Sequence, residues 1–136
     1  MNSPKTCVVI EDDADIRDLI ALILTDAGFE VHACETGHDG VVEAERLNPD
    51  LITLDVGLPD MDGREAARLI AAVSQAPILM ITAFAELDDE LHAIASGATA
   101  YLIKPFRPRQ LREIALQLSP QHTASSTVQP NPCSQS

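Results

Sequence analysis

Apolar and polar residues along this 136-residue chain follow a pattern that repeats five times, in which a short aliphatic run precedes a longer segment with helical periodicity. Continuous apolar runs are typical of strands buried on both faces of a sheet, whereas apolar positions three and four apart indicate amphipathic helices. The pattern predicts strands at residues 6–10, 29–34, 51–54, 78–81 and 100–103. It therefore predicts an α/β protein.

The helices between these strands are predicted from apolar spacing and from start and stop signals. Thr36 can cap the second helix, and Gly28 can end the first. The fourth helix is expected at about residues 86–96, and Gly97 can end it. Pro108 suits the first position of the last helix. The side chains expected to face the core from the other four helices are Ile16, Leu19, Ile20, Ile23, Leu24, Ala27, Val41, Val42, Leu47, Leu69, Ile70, Val73, Leu111, Ile114, Ala115 and Leu118.

Five strand–helix units in succession indicate an open parallel sheet with right-handed crossovers and helices on both faces. In such doubly wound folds, ligands bind outside the carboxyl ends of the strands. Polar residues stand at four of these ends: Glu11 and Asp12 at the first strand, Asp55 at the third, Thr82 at the fourth and Lys104 at the fifth. The fold would therefore bring four distant segments into one pocket.

The residue types in this pocket suit phosphoryl transfer. Three crowded carboxylates repel one another until a proton or a cation relieves the repulsion, and hard oxygen ligands in an incomplete cage suit Mg²⁺. A carboxylate such as Asp55 can itself be the nucleophile. Because the transferred group spreads negative charge over its oxygens, the ammonium of Lys104 and the hydroxyl of Thr82 would stabilise it.

Four segments that contain these residues resemble the receiver domain of two-component response regulators. They are VVIEDD at residues 8–13, LDVGLPDMDG at 54–63, ITA at 81–83 and YLIKPF at 101–106. Each segment alone is a weak signal, but together and in this order they are highly specific, and the resemblance extends from residue 6 to about residue 118. It implies a flavodoxin-like, five-stranded sheet with strand order 2-1-3-4-5. It also implies a phosphorylation-activated switch, not an enzyme that turns over a substrate.

The resemblance implies roles around the phosphorylation site. Asp55 would accept a phosphoryl group from a sensor histidine kinase or a phosphotransfer protein, in a reaction that depends on Mg²⁺, with Mn²⁺ as a second candidate cation. Asp12 would bind the cation directly, Glu11 mainly through water, and Gly57 through its backbone carbonyl.

The same resemblance implies a switch. Thr82 would be the switch hydroxyl and Lys104 the cation that binds the phosphoryl group. Tyr101 would be the aromatic side chain that swings inward on activation, and the peptide bond between Lys104 and Pro105 is expected to be cis.

Composition narrows the function classes. The chain carries 21 acidic and 9 basic residues, for a formal net charge of −12, which argues against direct binding of nucleic acid by Lys and Arg. Its three cysteines, Cys7, Cys34 and Cys133, show no metal-binding or disulfide spacing, so a reducing cytoplasm is expected. No apolar run approaches the roughly 18 residues that span a bilayer, and no signal peptide is apparent.

The domain organisation leaves alternatives open. Residues 1–118 are predicted to form the receiver domain, and residues 119–136, rich in Ser, Thr, Gln, Pro and Asn, a flexible tail or an interdomain linker. The chain could act on a separate downstream protein, or be the N-terminal part of a longer DNA-binding regulator with a fused output domain. A haloacid-dehalogenase-type phosphohydrolase also uses Asp, Lys and Mg²⁺, but Gly57 stands where that family requires a second Asp.

Other charged residues have simpler interpretations. Asp13 and Asp15 are expected to cap the first helix and complement its dipole, not to bind the cation. Asp60 and Asp62 are expected to form the turn before the third helix. A basic cluster at the last helix consists of Arg107, Arg109 and Arg112. It can be either a solvated helix face or a contact for an acidic partner.

The chain also departs from the receiver pattern. The run Gly-Ala-Thr-Ala-Tyr at residues 97–101, with Gln110 and Ile114 further on, lacks most of the charges that form salt bridges in one common receiver dimer. Gly57 and Phe84 stand at the two positions that border the path of the hydrolytic water. Gly57 has no side chain and Phe84 has an apolar one, so neither residue can orient that water. Slow hydrolysis of the phosphorylated form is therefore expected.

Overall fold

The computed structural model describes residues 4–83 and 97–120. The strands are β1 (Lys5–Ile10), β2 (Phe29–Cys34), β3 (Leu51–Asp55), β4 (Ile78–Ala83) and β5 (Ala100–Lys104). The helices within the described residues are α1 (Ala14–Asp26), α2 (Gly37–Leu47), α3 (Gly63–Val73) and α4 (Pro108–Leu118). The helix expected at about residues 86–96, Phe84, and residues 121–136 of the predicted tail lie outside the described residues.

The five strands form one parallel sheet in the order β2-β1-β3-β4-β5. The chain therefore starts near the middle of the sheet and reverses its direction of travel between β2 and β3. This order confirms the flavodoxin-like prediction. It also places the carboxyl ends of β1 and β3 side by side, with those of β4 and β5 following on one side.

The core lies on both faces of the sheet because alternate residues of each strand point to opposite sides. One cluster packs β-strand residues such as Val8 and Met80 against α2 and α3, and the other packs residues such as Val9 and Ile81 against α1 and α4. Helices thus cover both faces, as predicted. No helix within the described residues is long and apolar enough to cross a membrane.

Four side chains that were expected in the core lie at the surface, so that part of the prediction is wrong. Their exposed fractions are 43% for Leu19, 46% for Val42, 42% for Leu69 and 37% for Val73. In α2 and α3 the buried residues are mostly small, and Ile70 is the one large side chain among them. They are Gly37, Gly40, Ala44, Gly63, Ala66, Ala67 and Ile70.

The close approach of α2 to the sheet explains why Val42 is exposed. A methyl group added at Gly40 would overlap the side chain of Ile10 on β1, so α2 can lie this near the strand only with glycine there. The larger Val42 consequently lies on the solvent side of the helix.

Candidate functional site

The site lies at the carboxyl edge of the sheet, where several strands end in polar residues. Asp55 is the last residue of β3, Glu11 directly follows β1, and Lys104 is the last residue of β5. Because the strands are parallel and β1 neighbours β3, the ends that carry Glu11 and Asp55 are adjacent. The sheet topology, not proximity along the chain, brings these residues together.

Three carboxylates form a compact cluster at this edge. Glu11, Asp12 and Asp55 each offer one oxygen, and these oxygens all lie within 4.8 Å of one another. Glu11 and Asp55 are buried, whereas Asp12 is exposed. The cluster is therefore open to solvent on the side of Asp12 and closed on the side of the sheet.

Lys104 joins two of the three carboxylates. Its ammonium donates to Asp55 Oδ1 at 3.1 Å and to Glu11 Oε1 at 3.3 Å, across 49 and 93 residues of sequence. Burial lowers the pKa of Lys104, but the negative charges of Asp55 and Glu11 outweigh burial and leave the pKa raised. Lys104 is therefore a fixed positive charge at neutral pH.

Glu11 carries the most perturbed carboxyl group of the cluster. Burial raises its pKa most, the charge of Asp55 raises it further, and Lys104 and the N–H of Asp13 oppose the rise, so that the pKa reaches about 7. The N–H of Asp13 donates to Glu11 Oε2 at 3.2 Å. A carboxylate at this position gains from any further positive charge, because one lysine does not balance three carboxylates.

The donor set of the cluster fits a hard divalent cation. Mg²⁺ binds carboxylate oxygens and keeps several waters, which the exposed side at Asp12 can accommodate. Of the predicted ligands, Glu11, Asp12 and Asp55 meet in one place, and they would hold the ion. Gly57 lies two residues beyond Asp55 and is exposed, and a methyl group added there would meet nothing within 4 Å.

The remaining acidic residues of the region act on backbone groups, in agreement with the simpler interpretations. Asp13 caps α1, with Oδ1 accepting from the N–H groups of Asp15 and Ile16 at 2.9 and 3.1 Å. Asp62 caps α3 by accepting from the N–H of Arg64 at 2.7 Å.

Asp60 makes a contact that the sequence did not suggest. Its carboxylate accepts from the N–H groups of Gly37 and His38, at 2.8 and 2.9 Å, at the start of α2. The loop that follows Asp55 is thereby attached to another helix.

The loop also packs tightly where it enters α3. A methyl group added at Gly63 would lie 2.6 Å from Val56 Cα and 2.8 Å from the carbonyl oxygen of Asp55. Only glycine fits that approach. The chain after Asp55 is thus held close to the strand it has just left.

The predicted switch residues lie on β4 and β5. Thr82 is buried, and Tyr101 is half-buried against the core on the α2 and α3 face. By strand alternation both residues project to that same face. The Lys104–Pro105 peptide bond is cis, as expected.

Sequence reasoning missed Arg17, whose guanidinium donates to the carbonyl of Glu11 at 2.9 Å. The available signal was weak: an arginine five residues after Asp12, near the start of a helix, where the helix dipole disfavours a positive charge.

The chain is similar in sequence to proteins of one known family. The family model for the response regulator receiver domain matches residues 7–116. The DNA-binding response regulator MtrA of Mycolicibacterium paratuberculosis is 35% identical over 104 residues, covering 76% of this chain and 46% of that protein. The probable transcriptional regulator ycf27 of Porphyra purpurea is 33% identical over 110 residues, covering 81% of this chain and 45% of that protein. The chain thus spans less than half the length of these relatives.

Solved structures share the fold. A CheY-like response regulator receiver domain protein from Methanospirillum hungatei is 31% identical, with a TM-score of 0.80 over 85% of this chain and 93% of that one. The receiver domain of a sensor histidine kinase from Pseudomonas aeruginosa, with a magnesium ion coordinated in its active site cleft, is 30% identical, with a TM-score of 0.77 over 85% of this chain and 98% of that one. The family model, the sheet order and the carboxylate cluster together lead to one conclusion: the chain belongs to the response regulator receiver domain family.

Proposed function

We propose that this receiver domain is switched by phosphorylation of Asp55. The observation that carries the proposal is the arrangement of Asp55 beside Glu11 and Asp12, with Lys104 donating to both Asp55 and Glu11. This arrangement supplies a carboxylate nucleophile, a fixed ammonium and ligands for a cation in one pocket. The donor is a phosphohistidine of a sensor histidine kinase or of a phosphotransfer protein.

The transfer requires little covalent chemistry from the protein. A carboxylate oxygen of Asp55 forms a bond to phosphorus while the bond from phosphorus to the histidine nitrogen breaks, and the electron pair stays on the imidazole. Lys104 pairs with a phosphoryl oxygen, and the hydroxyl of Thr82 donates to another. When bound, Mg²⁺ supplies further charge stabilisation for the phosphoryl oxygens.

Asp12 and Glu11 act by holding charge in position. Asp12 faces solvent and is the first carboxylate that an incoming cation would meet. Glu11 lies buried beside Asp55 and keeps Lys104 in reach of the phosphoryl group. Gly57 contributes its backbone carbonyl, and Tyr101 moves inward when Thr82 binds the phosphoryl group.

Phosphorylation is tested by incubating the protein with acetyl phosphate and Mg²⁺ and measuring its intact mass. We expect an increase of about 80 Da, because acetate leaves and one phosphoryl group is retained. Asp55→Asn should show no increase. Asp60→Asn is the matched control, since Asp60 is a nearby carboxylate outside the cluster, and it should be modified like the parent. Equal modification of Asp55→Asn and the parent would contradict the assignment.

A DNA-binding output is the second part of the proposal. Two relatives are named as a DNA-binding response regulator and a probable transcriptional regulator, and this chain matches less than half of each. We therefore infer that the receiver controls an output domain that binds DNA, either fused to it or in a separate partner. The acidic receiver itself makes no nucleic-acid contact, acts in the cytoplasm and does not turn over small phosphoesters. The test is a DNA-binding assay of the full gene product with and without acetyl phosphate, with residues 1–136 as the control that should not bind.

A further inference from the structure

Arg17 lies in α1 next to the segment that carries two of the three clustered carboxylates. Its Nη1 donates to the backbone carbonyl of Glu11 at 2.9 Å and approaches that of Asp12 at 3.4 Å. Its Nη2 lies 3.5 Å from Glu35 Oε2, in the connection between β2 and α2. The side chain of Arg17 is 15% exposed and that of Glu35 is 71% exposed. The contact to the Glu11 carbonyl is partly buried, whereas the contact to the Asp12 carbonyl is exposed.

Placing a guanidinium here costs free energy, which its contacts must offset. The first turn of a helix carries partial positive charge and repels a cation, and burying most of an arginine side chain removes water from it. The two carbonyl contacts and the contact to Glu35 replace that water. The planar guanidinium of arginine donates to several acceptors in fixed directions, whereas the ammonium of lysine is a point charge on a flexible stem.

The contacts of Arg17 complete the fixation of the backbone at Glu11. On the other side, the N–H of Glu11 donates to the carbonyl of Cys34 at 3.0 Å, which ties the segment to β2. The carbonyl of Glu11 is held by Arg17, and the carboxylate by Lys104 and the N–H of Asp13. Of the contacts described above, Asp12 takes part in one, the longer contact between its carbonyl and Arg17. Its carboxylate faces solvent.

We propose that Arg17 is a positioning residue for the cation site, which fixes the peptide groups of Glu11 and Asp12 so that both carboxylates meet Asp55. The proposal rests on the proposed function, because it assumes that the cluster binds Mg²⁺. Arg17 touches neither the cation nor the phosphoryl group and acts through the backbone of the two acidic residues. Groups that orient metal ligands in this way typically change metal affinity by about 10- to 100-fold.

The sign of the effect separates this role from plain electrostatics. Arg17 carries a positive charge beside a cation site, so its removal should tighten Mg²⁺ binding if charge were its main contribution. A positioning role gives the opposite result, because the carboxylates lose their common orientation and the affinity falls.

The test is a calorimetric Mg²⁺ titration of Arg17→Ala and Arg17→Lys, with far-UV circular dichroism to verify that each variant is folded. We expect the Kd of Arg17→Ala to rise about tenfold. Arg17→Lys keeps the charge but loses the planar guanidinium, and its Kd should also rise. Arg46→Ala is the matched control, because Arg46 pairs with Glu43 on α2, away from the cluster, and its Kd should equal that of the parent.

A kinetic measurement gives a second test, because a loss of stability alone would not change the Mg²⁺ concentration that phosphorylation requires. The rate of phosphorylation by acetyl phosphate is followed against Mg²⁺ concentration, and the Arg17 variants should need more Mg²⁺ but reach the maximum rate of the parent. An unchanged or lower Kd in a folded Arg17→Ala or Arg17→Lys overturns the proposal. If the parent protein itself binds no Mg²⁺, the proposed function fails first.

Discussion

Thr53 places a single polar side-chain atom among the apolar side chains of β3, ahead of Asp55 at the strand's end. It lies in the middle of β3 and is 1% exposed, between Val9 of β1 and Leu79 of β4 in the sheet register. Its side chain projects to the face that is covered by α1 and α4. Its Oγ1 is buried and has no hydrogen-bond partner within the described part of the chain. A buried hydroxyl without a partner loses its bonds to water and gains nothing in exchange.

Thr53→Val should therefore stabilise the protein. Valine keeps the branched shape of threonine and replaces the hydroxyl with a methyl group, so that the penalty for the unpaired oxygen disappears. We expect the free energy of unfolding to increase by about 1 kcal/mol, measured by urea unfolding. Thr6→Val on β1, at a less buried position, is the control and should have a smaller effect. A lower stability of Thr53→Val would mean that the hydroxyl has a partner in solution.

At the scale of elements, the loop between β3 and α3 is joined to α2 by one carboxylate. Asp60 accepts from the N–H groups of Gly37 and His38, which α2 cannot satisfy internally because they lie in its first turn. Thr36 accepts from the N–H of Asp39, so the start of α2 is capped both by its own N-terminal neighbour and by a distant loop. These two backbone bonds lower the pKa of Asp60 below its ordinary value.

The lowered pKa predicts a pH-dependent contribution to stability. A carboxyl group whose pKa is depressed by folding stabilises the folded state above its unfolded pKa, and this contribution is lost as the pH falls through the folded pKa. Asp60→Asn should therefore be less stable than the parent at pH 7. The difference should begin to shrink below about pH 4, where the unfolded chain takes up the proton first, and should vanish at lower pH, where the folded parent is protonated as well.

Urea unfolding of both proteins between pH 7 and pH 3 measures this effect. Glu45→Gln, which removes an exposed charge from α2, is the control and should show no comparable pH-dependent difference. If the difference between the parent and Asp60→Asn stayed constant over this range, the carboxylate would not be the group that joins the loop to α2.

At the scale of the whole molecule, the carboxylate cluster exists only in the folded chain. Glu11 and Asp55 are 44 positions apart in sequence and become neighbours because β1 and β3 pair in the sheet. The cost of holding three carboxylates together falls on the folded state, and Lys104 offsets part of it. A cation that binds the cluster therefore stabilises the folded state over the unfolded state.

Mg²⁺ should consequently raise the melting temperature. At a concentration of about 100 times Kd the gain is about 2.7 kcal/mol, measured by thermal unfolding against NaCl of equal ionic strength. Asp12→Ala should lose most of the Mg²⁺-dependent shift. Asp13→Ala should keep the shift but lose about 1 kcal/mol of stability without metal, because the cap of α1 is removed. If instead Asp13→Ala lost the Mg²⁺-dependent shift and Asp12→Ala kept it, Asp13 would be the ligand and Asp12 would not.

The sequence by itself determined the five strands, the helices within the described residues and their order along the chain. All five strands begin within one residue of the predicted positions, and the caps at Asp13 and Thr36 are formed as expected. These features depend on local periodicity and on hydrogen bonds within one turn, so the residues that cause them are adjacent in sequence. The polar residues at the strand ends likewise indicated which residues would meet, because parallel strands present their carboxyl ends at one edge.

Only the tertiary structure decided how each helix is rotated and what holds the loops. Val42 lies outside because Gly40 lets α2 approach Ile10 more closely than a larger residue would allow. In α3, Ala66 is buried and Leu69 is exposed. Arg17 binds backbone carbonyls, which every residue possesses, so its partners leave no pattern in the sequence. The same holds for Asp60 and the N–H groups of α2, a contact that forms only after the two segments have been brought together by folding.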